Sequence, residues 1–346
     1  MTIVETTRPV TGGVDTHADV HVAAAVDANG GVLGVEMFVT TPRGYAELAD
    51  WLGRFGEVVR VGVEGTGAYG AGLARFLRAR GLMVIEVDRP NRQVRRQHGK
   101  SDTIDAIEAA RAALSGRASG AAKNADGDVE AIRALLVARR SGRNVRVKYL
   151  NQIRHLIFTA PDELRERLRH VHRDQLARTA ASLRPAQTGD AVTYATKLAM
   201  ATLGRRVLAL EADGARLDRD LERLVRQVAP TLLAVYGVGV HTAAILLVAA
   251  GDNPHRLKSE AAFAHLCGVA PIPASSGKTT RARLNPGGNR QANHALWRIV
   301  FTRMSNDERT RKYVARRLAE GKTTREIMRV LKRYVARELY PHIVTR

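Results

Sequence analysis

The chain has 346 residues, 45% of them hydrophobic, and carries 55 Lys+Arg against 34 Asp+Glu for a formal net charge of +21. That length predicts two or three domains with cores large enough to fold without staples. The single cysteine, Cys267, excludes a disulfide framework and a multi-cysteine zinc site. No apolar run is long enough to span a bilayer and the start has no basic-then-apolar leader, so the expectation is a cytoplasmic protein with no membrane partner. The charge is uneven. Residues 1–120 hold 14 Lys/Arg and 14 Asp/Glu, whereas residues 121–346 hold 41 and 20, so the whole excess lies in the second part. A balanced first part before a basic remainder predicts a catalytic or structural unit joined to one that binds a polyanion.

Residues 12–120 read as α/β. Val20–Val26 and Val32–Val39 are apolar, β-branched runs separated by Asp27-Ala28-Asn29-Gly30-Gly31, the pattern of a hairpin. A helix is expected from Pro42 to Phe55, with Tyr45, Leu48, Trp51 and Leu52 on one face. Val58–Val63 reads as a strand ending at Glu64, Ala71–Arg80 as a helix closed by Gly81, and Met83–Val87 as another strand. A basic loop runs from Asp88 to Lys100, and a further helix starts near Ser101. This order indicates a mixed sheet covered by helices.

From Val129 the sequence is mostly helical. Val129 to Thr159 reads as one long helix carrying Arg139, Arg140, Arg143, Arg146 and Lys148. Leu203, Val207, Leu210, Leu217, Leu221, Leu224 and Val228 form an a/d seam, with Gly214 in its one gap; it reads equally as a coiled coil or as the core stripe of a bundle. After Pro230, the run Tyr236-Gly237-Val238-Gly239-Val240-His241-Thr242 has the layout of a helix-hairpin-helix turn, which can aim backbone N–H groups at a phosphate. The stretch from Lys278 to Arg346, with 18 Lys/Arg and 5 Asp/Glu, reads as basic helices.

Four acids stand out. Asp15 lies just before or within the first strand, Glu64 ends an apolar strand, and Asp102 and Asp105 share one face at the start of a helix. Converging carboxylates repel unless a cation sits among them, and hard oxygen ligands suit Mg²⁺ or Mn²⁺. Such ions serve phosphodiester chemistry by activating a nucleophile and stabilising a leaving oxygen. Asp102 and Asp105 also suit a helix N-terminus without any metal, and Asp19, Asp27, Glu86 and Asp88 are rival acids near strands. A second constellation places Ser275 and Ser276 in a Pro-bounded loop before Gly277 and Lys278, with Arg281 and Arg283 beyond. A serine is a poor nucleophile until a neighbour eases loss of its proton. The stretch Gly277-Lys278-Thr279-Thr280 is not a nucleotide-binding loop, because Pro273 stands where its first glycine belongs.

The ordered motifs GVDTHAD (13–19), VGVEGTGAYG (61–70), KSDTIDA (100–106), GVGVHTA (237–243), CGVAPIPASSGK (267–278) and GGNRQAN (287–293) resemble the insertion sequence 110 family of bacterial transposases, over about residues 12–300. The resemblance implies a RuvC-like, RNase H-type domain over residues 1–120 with Asp15, Glu64, Asp102 and Asp105 as a DEDD metal site. It implies a helical linker with a coiled coil over 121–229 and a helical C-terminal transposase domain over 230–346 with a serine nucleophile, for which Ser276 matches best and Ser275 is the rival. It also implies a noncoding guide RNA that pairs with donor and target DNA, a homo-oligomer (dimer or tetramer), and action at the bacterial nucleoid. Phosphate contacts are expected from Lys100, Arg139, Arg140, Arg143, Gly237, Gly239, Lys278, Arg281, Arg283 and Arg290. The segment Asn285-Pro286-Gly287-Gly288-Asn289-Arg290 departs from the family pattern where a basic residue before a single glycine is expected. Two competing readings are a metal-dependent junction-resolving nuclease that uses water, and a non-catalytic nucleic-acid-binding protein on the same fold.

Overall fold

The computed structural model describes residues 8–87, 101–118, 120–121, 123–124, 126–186, 190–274 and 282–346. They group into two compact units. The first comprises residues 1–127 with 250–259, and the second 128–249 with 260–346. Most of the expected linker (121–229) and C-terminal (230–346) segments lie in the second unit, while residues 121–127 and 250–259 belong to the first.

The first unit is built on a mixed six-stranded sheet: β1 (Pro9–Asp15), β2 (Val20–Val26), β3 (Val32–Val39), β4 (Glu57–Glu64), β5 (Val84–Val87) and β6 (Gly120–Ala121). Their order is β3-β2-β1-β4-β5-β6. The hairpin β2–β3 is antiparallel, as is β1–β2, while β1–β4 and β4–β5 are parallel. β1 is a central strand that periodicity did not announce, because its Thr-Gly-Gly sequence reads as a turn. Those glycines serve packing. A Cβ on Gly13 would lie 2.1 Å from the Ala110 backbone N and 2.3 Å from the Ala106 O, and one on Gly62 of β4 would lie 2.5 Å from the Ala109 O. The helix α3 (Asp102–Leu114) thus lies directly on β1 and β4, through its own buried Ala106, Ala109, Ala110 and Ala113.

The opposite face carries α1 (Pro42–Gly53) and α2 (Ala71–Ala79). Leu48, Trp51, Leu52, Leu73 and Leu77 pack there on Val10, Val14, Val61 and Val63. Thr41 caps α1 by accepting from the Gly44 N–H, and Pro42 occupies its first turn. Side chains alternate along a strand. Since Val14 and Val63 face α1 and α2, their neighbours Asp15 and Glu64 face α3.

The second unit is helical. α4 (Asp128–Phe158) and α7 (Ala191–Val228) run antiparallel, as Arg139 pairs with Asp218 and Arg146 with Glu211. α5 (Asp162–Leu168) and α6 (Arg173–Ala181) complete a core of Leu150, Ile153, Ile157, Leu164, Leu168, Leu176, Met200 and Val207. The seam residues Val207 and Leu221 are buried within this unit and Leu210 touches the Gly142 position of α4. The seam therefore finds a partner in its own chain. Then follow α8 (Pro230–Leu233), α9 (Val240–Ala250), a 3₁₀ turn (Pro254–Arg256) and α10 (Glu260–Leu266). The short strands β7 (Ile272–Pro273) and β8 (Ala282–Arg283) pair antiparallel. The expected basic helices are found from Arg290 onward, as α11 (Arg290–Asn306), α12 (Glu308–Ala319) and α13 (Thr324–Val344), while 282–289 hold β8 and a turn instead and 278–281 lie outside the described residues. Among the described residues, no helix is long and apolar enough to cross a membrane.

Candidate functional site

Asp15 ends β1, and one register step beyond the Val14–Val63 pair Glu64 ends the parallel neighbour β4. The Thr16 hydroxyl donates to the Glu64 carbonyl at 2.8 Å and ties the two strand ends together. This is the carboxyl edge of the sheet, where the chain leaves β1 toward β2 on one side and continues through β4 to β5 on the other; open α/β sheets bind ligands at such a switch. α3 starts over the same edge and brings Asp102 and Asp105 to it.

Asp15, His17 and Asp102 each offer a ligand atom, and these atoms lie within 4.8 Å of one another. His17 Nε2 is 3.2 Å from Asp15 Oδ2 and 3.4 Å from Asp102 Oδ2. That nitrogen is buried and has no aligned hydrogen bond, although the ring edge reaches solvent. Burial pushes the Asp15 carboxyl above its ordinary range; nearby His17 opposes the shift, while Asp105 and Asp102 add to it by repulsion. An imidazole nitrogen set between oxygens of two crowded carboxylates is a ligand set that fits a divalent cation. Asp105 is 2% exposed and within electrostatic reach of Asp15. Among the described residues, neither Asp105 nor Glu64 joins the tight three-atom set.

His17 lies inside the GVDTHAD motif (13–19), which by itself assigns it no role. The available signal was the spacing Asp-x-His at a strand end, which turns both side chains to one side. Behind His17, the buried His21 accepts the His17 backbone N–H at 3.4 Å and stacks on Tyr45 with centroids 5.7 Å apart. Burial, with a smaller contribution from His17, pushes the His21 imidazole down to about 4, so the ring is neutral and holds its acceptor lone pair. Of the rival acids, Asp27 is used by its own turn, accepting from the Asn29 and Gly31 N–H groups, and Glu86 accepts from the Thr66 hydroxyl. Asp88 lies outside the described residues.

A second site lies wholly within the helical unit. A groove of about 820 Å³ is lined by Arg139, Arg140 and Arg143 of α4, by Asp218 and Glu222 of α7, by the Gly237–Thr242 turn and by the Arg290, His294 and Arg298 face of α11. Asp218 is matched by a bidentate pair with Arg139 at 2.8 Å, and Glu222 by Arg226. Among the described residues, Arg140, Arg143, Arg290 and Arg298 pair with no carboxylate. The groove is thus strongly cationic. His241 reports the same field: burial first, then Arg139, pushes its imidazole below the ordinary value against the opposing pull of Asp218. Gly237 adopts φ +83° where the turn passes Ile299 and Arg303 of α11. The Gly239 N–H donates to the Thr242 hydroxyl at 3.0 Å, so this donor of the turn is used internally. Arg283 is exposed on β8, while Lys100, Ser275, Ser276, Lys278 and Arg281 lie outside the described residues.

Two stretches of the chain match known transposase families. A transposase family model of the DEDD, IS110 type matches residues 12–159, and the model described as transposase IS116/IS110/IS902 family matches residues 229–315. The chain belongs to the IS110 family of transposases. A curated relative, the insertion element IS110 uncharacterized 43.6 kDa protein of Streptomyces coelicolor, is 38% identical over 109 residues, which is 31% of this chain and 27% of the relative. The match therefore spans about a quarter of that relative's length.

Within the segment matched by the second family, two glycines have a packing role. Gly268 adopts φ +65°, and a Cβ on Gly288 would lie 2.2 Å from the Gly268 Cα, so the CGVAP and GGN segments touch backbone to backbone. Asn293 Nδ2 donates to the carbonyls of Cys267 and Gly268 at 3.0 Å each, and its Oδ1 accepts from Lys332 Nζ at 2.8 Å. Cys267 is buried, which pushes its thiol up to about 12 and leaves it unreactive.

Proposed function

We propose that this member of the IS110 family is a DNA recombinase that moves an insertion sequence, cutting and rejoining donor and target DNA under the direction of a noncoding RNA. The observation that carries the reading is the convergence of Asp15, His17 and Asp102 at the carboxyl edge of β1 and β4. The strand order β3-β2-β1-β4-β5, with an antiparallel β1–β2–β3 meander beside parallel β4 and β5, supports a RuvC-like first unit. Asp15, Glu64, Asp102 and Asp105, joined by His17, would hold Mg²⁺ or Mn²⁺. A divalent ion bound there offsets phosphate charge and lowers the cost of forming an alkoxide.

Ser276, or its neighbour Ser275, is the proposed nucleophile. Its Oγ forms a bond to phosphorus and gives up its proton, while a backbone P–O bond breaks and the departing sugar oxygen takes up a proton. Arginines of the second unit hold phosphates, and base pairing with the guide RNA supplies sequence choice. A coiled coil at the α4–α7 region and a helix-hairpin-helix at Gly237–Thr242 remain part of this reading, as does a homo-oligomer. The deciding experiment incubates the protein and its co-purified RNA with donor and target DNA and looks for a covalent protein–DNA species. Ser276→Ala should abolish the adduct and the recombinant product while DNA binding persists, and Asp15→Asn should block the same step. The second reading is a junction-resolving nuclease. It is favoured by the fact that Asp15, His17 and Asp102 all come from one unit, so water could be activated there without the serine segment. Cleavage with no adduct, indifferent to both serines, would establish it.

A further inference from the structure

The chain is poor in aromatic residues, at 5%, and has two tryptophans. Trp51 is buried in the first unit. Trp297 stands on the outside of α11, 36% exposed, in a ring ladder with His294 and Phe301. The His294–Trp297 centroids are 5.5 Å apart at 26°, and those of Trp297–Phe301 are 5.3 Å apart at 24°. Phe301 is 54% exposed. The core of the unit does not need this stripe, because α11 buries a separate face made of Leu296, Ile299 and Val300. His294 belongs to both features: it is the first ring of the ladder and a wall of the arginine groove. Arg290 and Arg298 flank it on the same helix.

Near-parallel rings open to solvent beside unpaired guanidinium groups match one chemistry. A polyanion whose charged backbone can lie in the groove while planar groups leave it to stack is a single-stranded nucleic acid. A duplex can offer phosphates to the groove, but its base faces are covered by their neighbours. A protein partner of the aromatic stripe would have no use for the cationic groove at its edge.

We infer that the α11 ladder His294–Trp297–Phe301 is a stacking platform for unpaired bases of a strand whose phosphates lie in the Arg140, Arg143, Arg290 and Arg298 groove. The inference rests on the nucleic-acid-binding reading above and adds a strand class and its contact residues. Because a duplex meets only the groove and a single strand meets both features, the two ligands respond differently to the same substitutions.

The test uses the full-length protein with a 12-nucleotide oligo(dT) or oligo(U) and a duplex of equal length. Saturable quenching of tryptophan fluorescence is expected with the oligonucleotide, and it should vanish in Trp297→Phe, since Trp51 is buried. The double variant Trp297→Ala/Phe301→Ala truncates side chains outside the buried Leu296, Ile299 and Val300 face, so it should keep a cooperative melt and its helical signal. Its affinity for the single strand should fall by about tenfold or more, in line with the loss of base–aromatic stacking, while duplex affinity stays within about twofold. Unchanged quenching in Trp297→Phe, or equal losses for both ligands, would overturn the platform while leaving nucleic-acid binding in place. A wild-type protein that binds neither ligand would overturn the platform and the broader reading together. A double variant that changes its oligomeric state but not its affinities would assign the stripe to protomer contact instead.

Discussion

Asp15 and His17 lie at one strand end and, with Asp102, form the candidate metal site. The His17 nitrogen sits between the oxygens of Asp15 and Asp102 and completes a mixed nitrogen–oxygen donor set. Imidazole tolerates Mn²⁺ better than the harder Mg²⁺. Mn²⁺ should therefore raise the melting temperature more than Mg²⁺ does, because an ion that binds only the folded state stabilises it. His17→Ala should weaken Mn²⁺ binding by at least about tenfold and narrow the difference between the two ions, read by thermal shift in metal titrations. Asp15→Asn should remove the metal response while leaving the fold intact in chelator. His21 supplies a pH signature. Its imidazole is held near 4 in the folded chain against 6.5 in the open one, so it contributes stability above pH 6.5 that is lost as pH falls toward 4. His21→Phe keeps a ring against Tyr45 and removes that titration. In urea unfolding with chelator at pH 7 and pH 5, wild type should lose more stability than the variant over that step.

At the scale of elements, small residues decide where α3 can lie. Gly13→Ala would press a methyl group onto the backbone of Ala110 and Ala106, atoms that cannot rotate away. It should destabilise the first unit by roughly 1–3 kcal/mol and shift Asp102 and Asp105 off the sheet edge, so both urea stability and metal affinity should fall. In the second unit, Leu221 of α7 is 1% exposed, and Leu221→Ala should cost about 2–5 kcal/mol by leaving a cavity. An acidic residue at Leu221 would therefore report on folding rather than on self-association. Leu203, Leu210, Leu217 and Val228 are the half-buried seam positions, and Leu210 and Leu217 lie in its middle. If the seam pairs protomers, Leu210→Glu/Leu217→Glu should lower the oligomer in sedimentation while the helical signal persists.

Over the whole molecule, charge is divided unevenly along the chain: neutral through residue 120 and +21 beyond it. Binding carried by phosphates releases counterions, so log affinity for duplex DNA should fall linearly with log salt, with a slope of about −0.9 per phosphate neutralised. Replacing Arg140, Arg143, Arg290 or Arg298 by Ala should each reduce that slope by about one, weakening all DNA sequences alike. Arg139→Ala should have a different consequence. It frees the Asp218 carboxylate inside the groove, so it adds repulsion as well as removing a cation, and its loss of affinity should exceed that of Arg140→Ala in the same salt titration.

Much of this molecule was legible along the chain. The hairpin at 20–39, the helix after Pro42, the strand ending at Glu64 and the long helix from Asp128 follow from local periodicity, since burial of one face is recorded in the spacing of apolar residues. The charge division and the family motifs are likewise properties of the linear sequence. The tertiary structure decided what periodicity cannot encode. β1 is a central strand because its glycines admit a helix backbone, a constraint that appears only when α3 is laid across it. His17 joins Asp102 from 85 positions away because that crossing ends at the sheet edge. The groove gathers arginines from α4 and α11, which lie far apart in sequence, and the seam of α7 turns toward α4. In each case the deciding quantity is a distance between elements, and the chain specifies it only through how closely their backbones can approach.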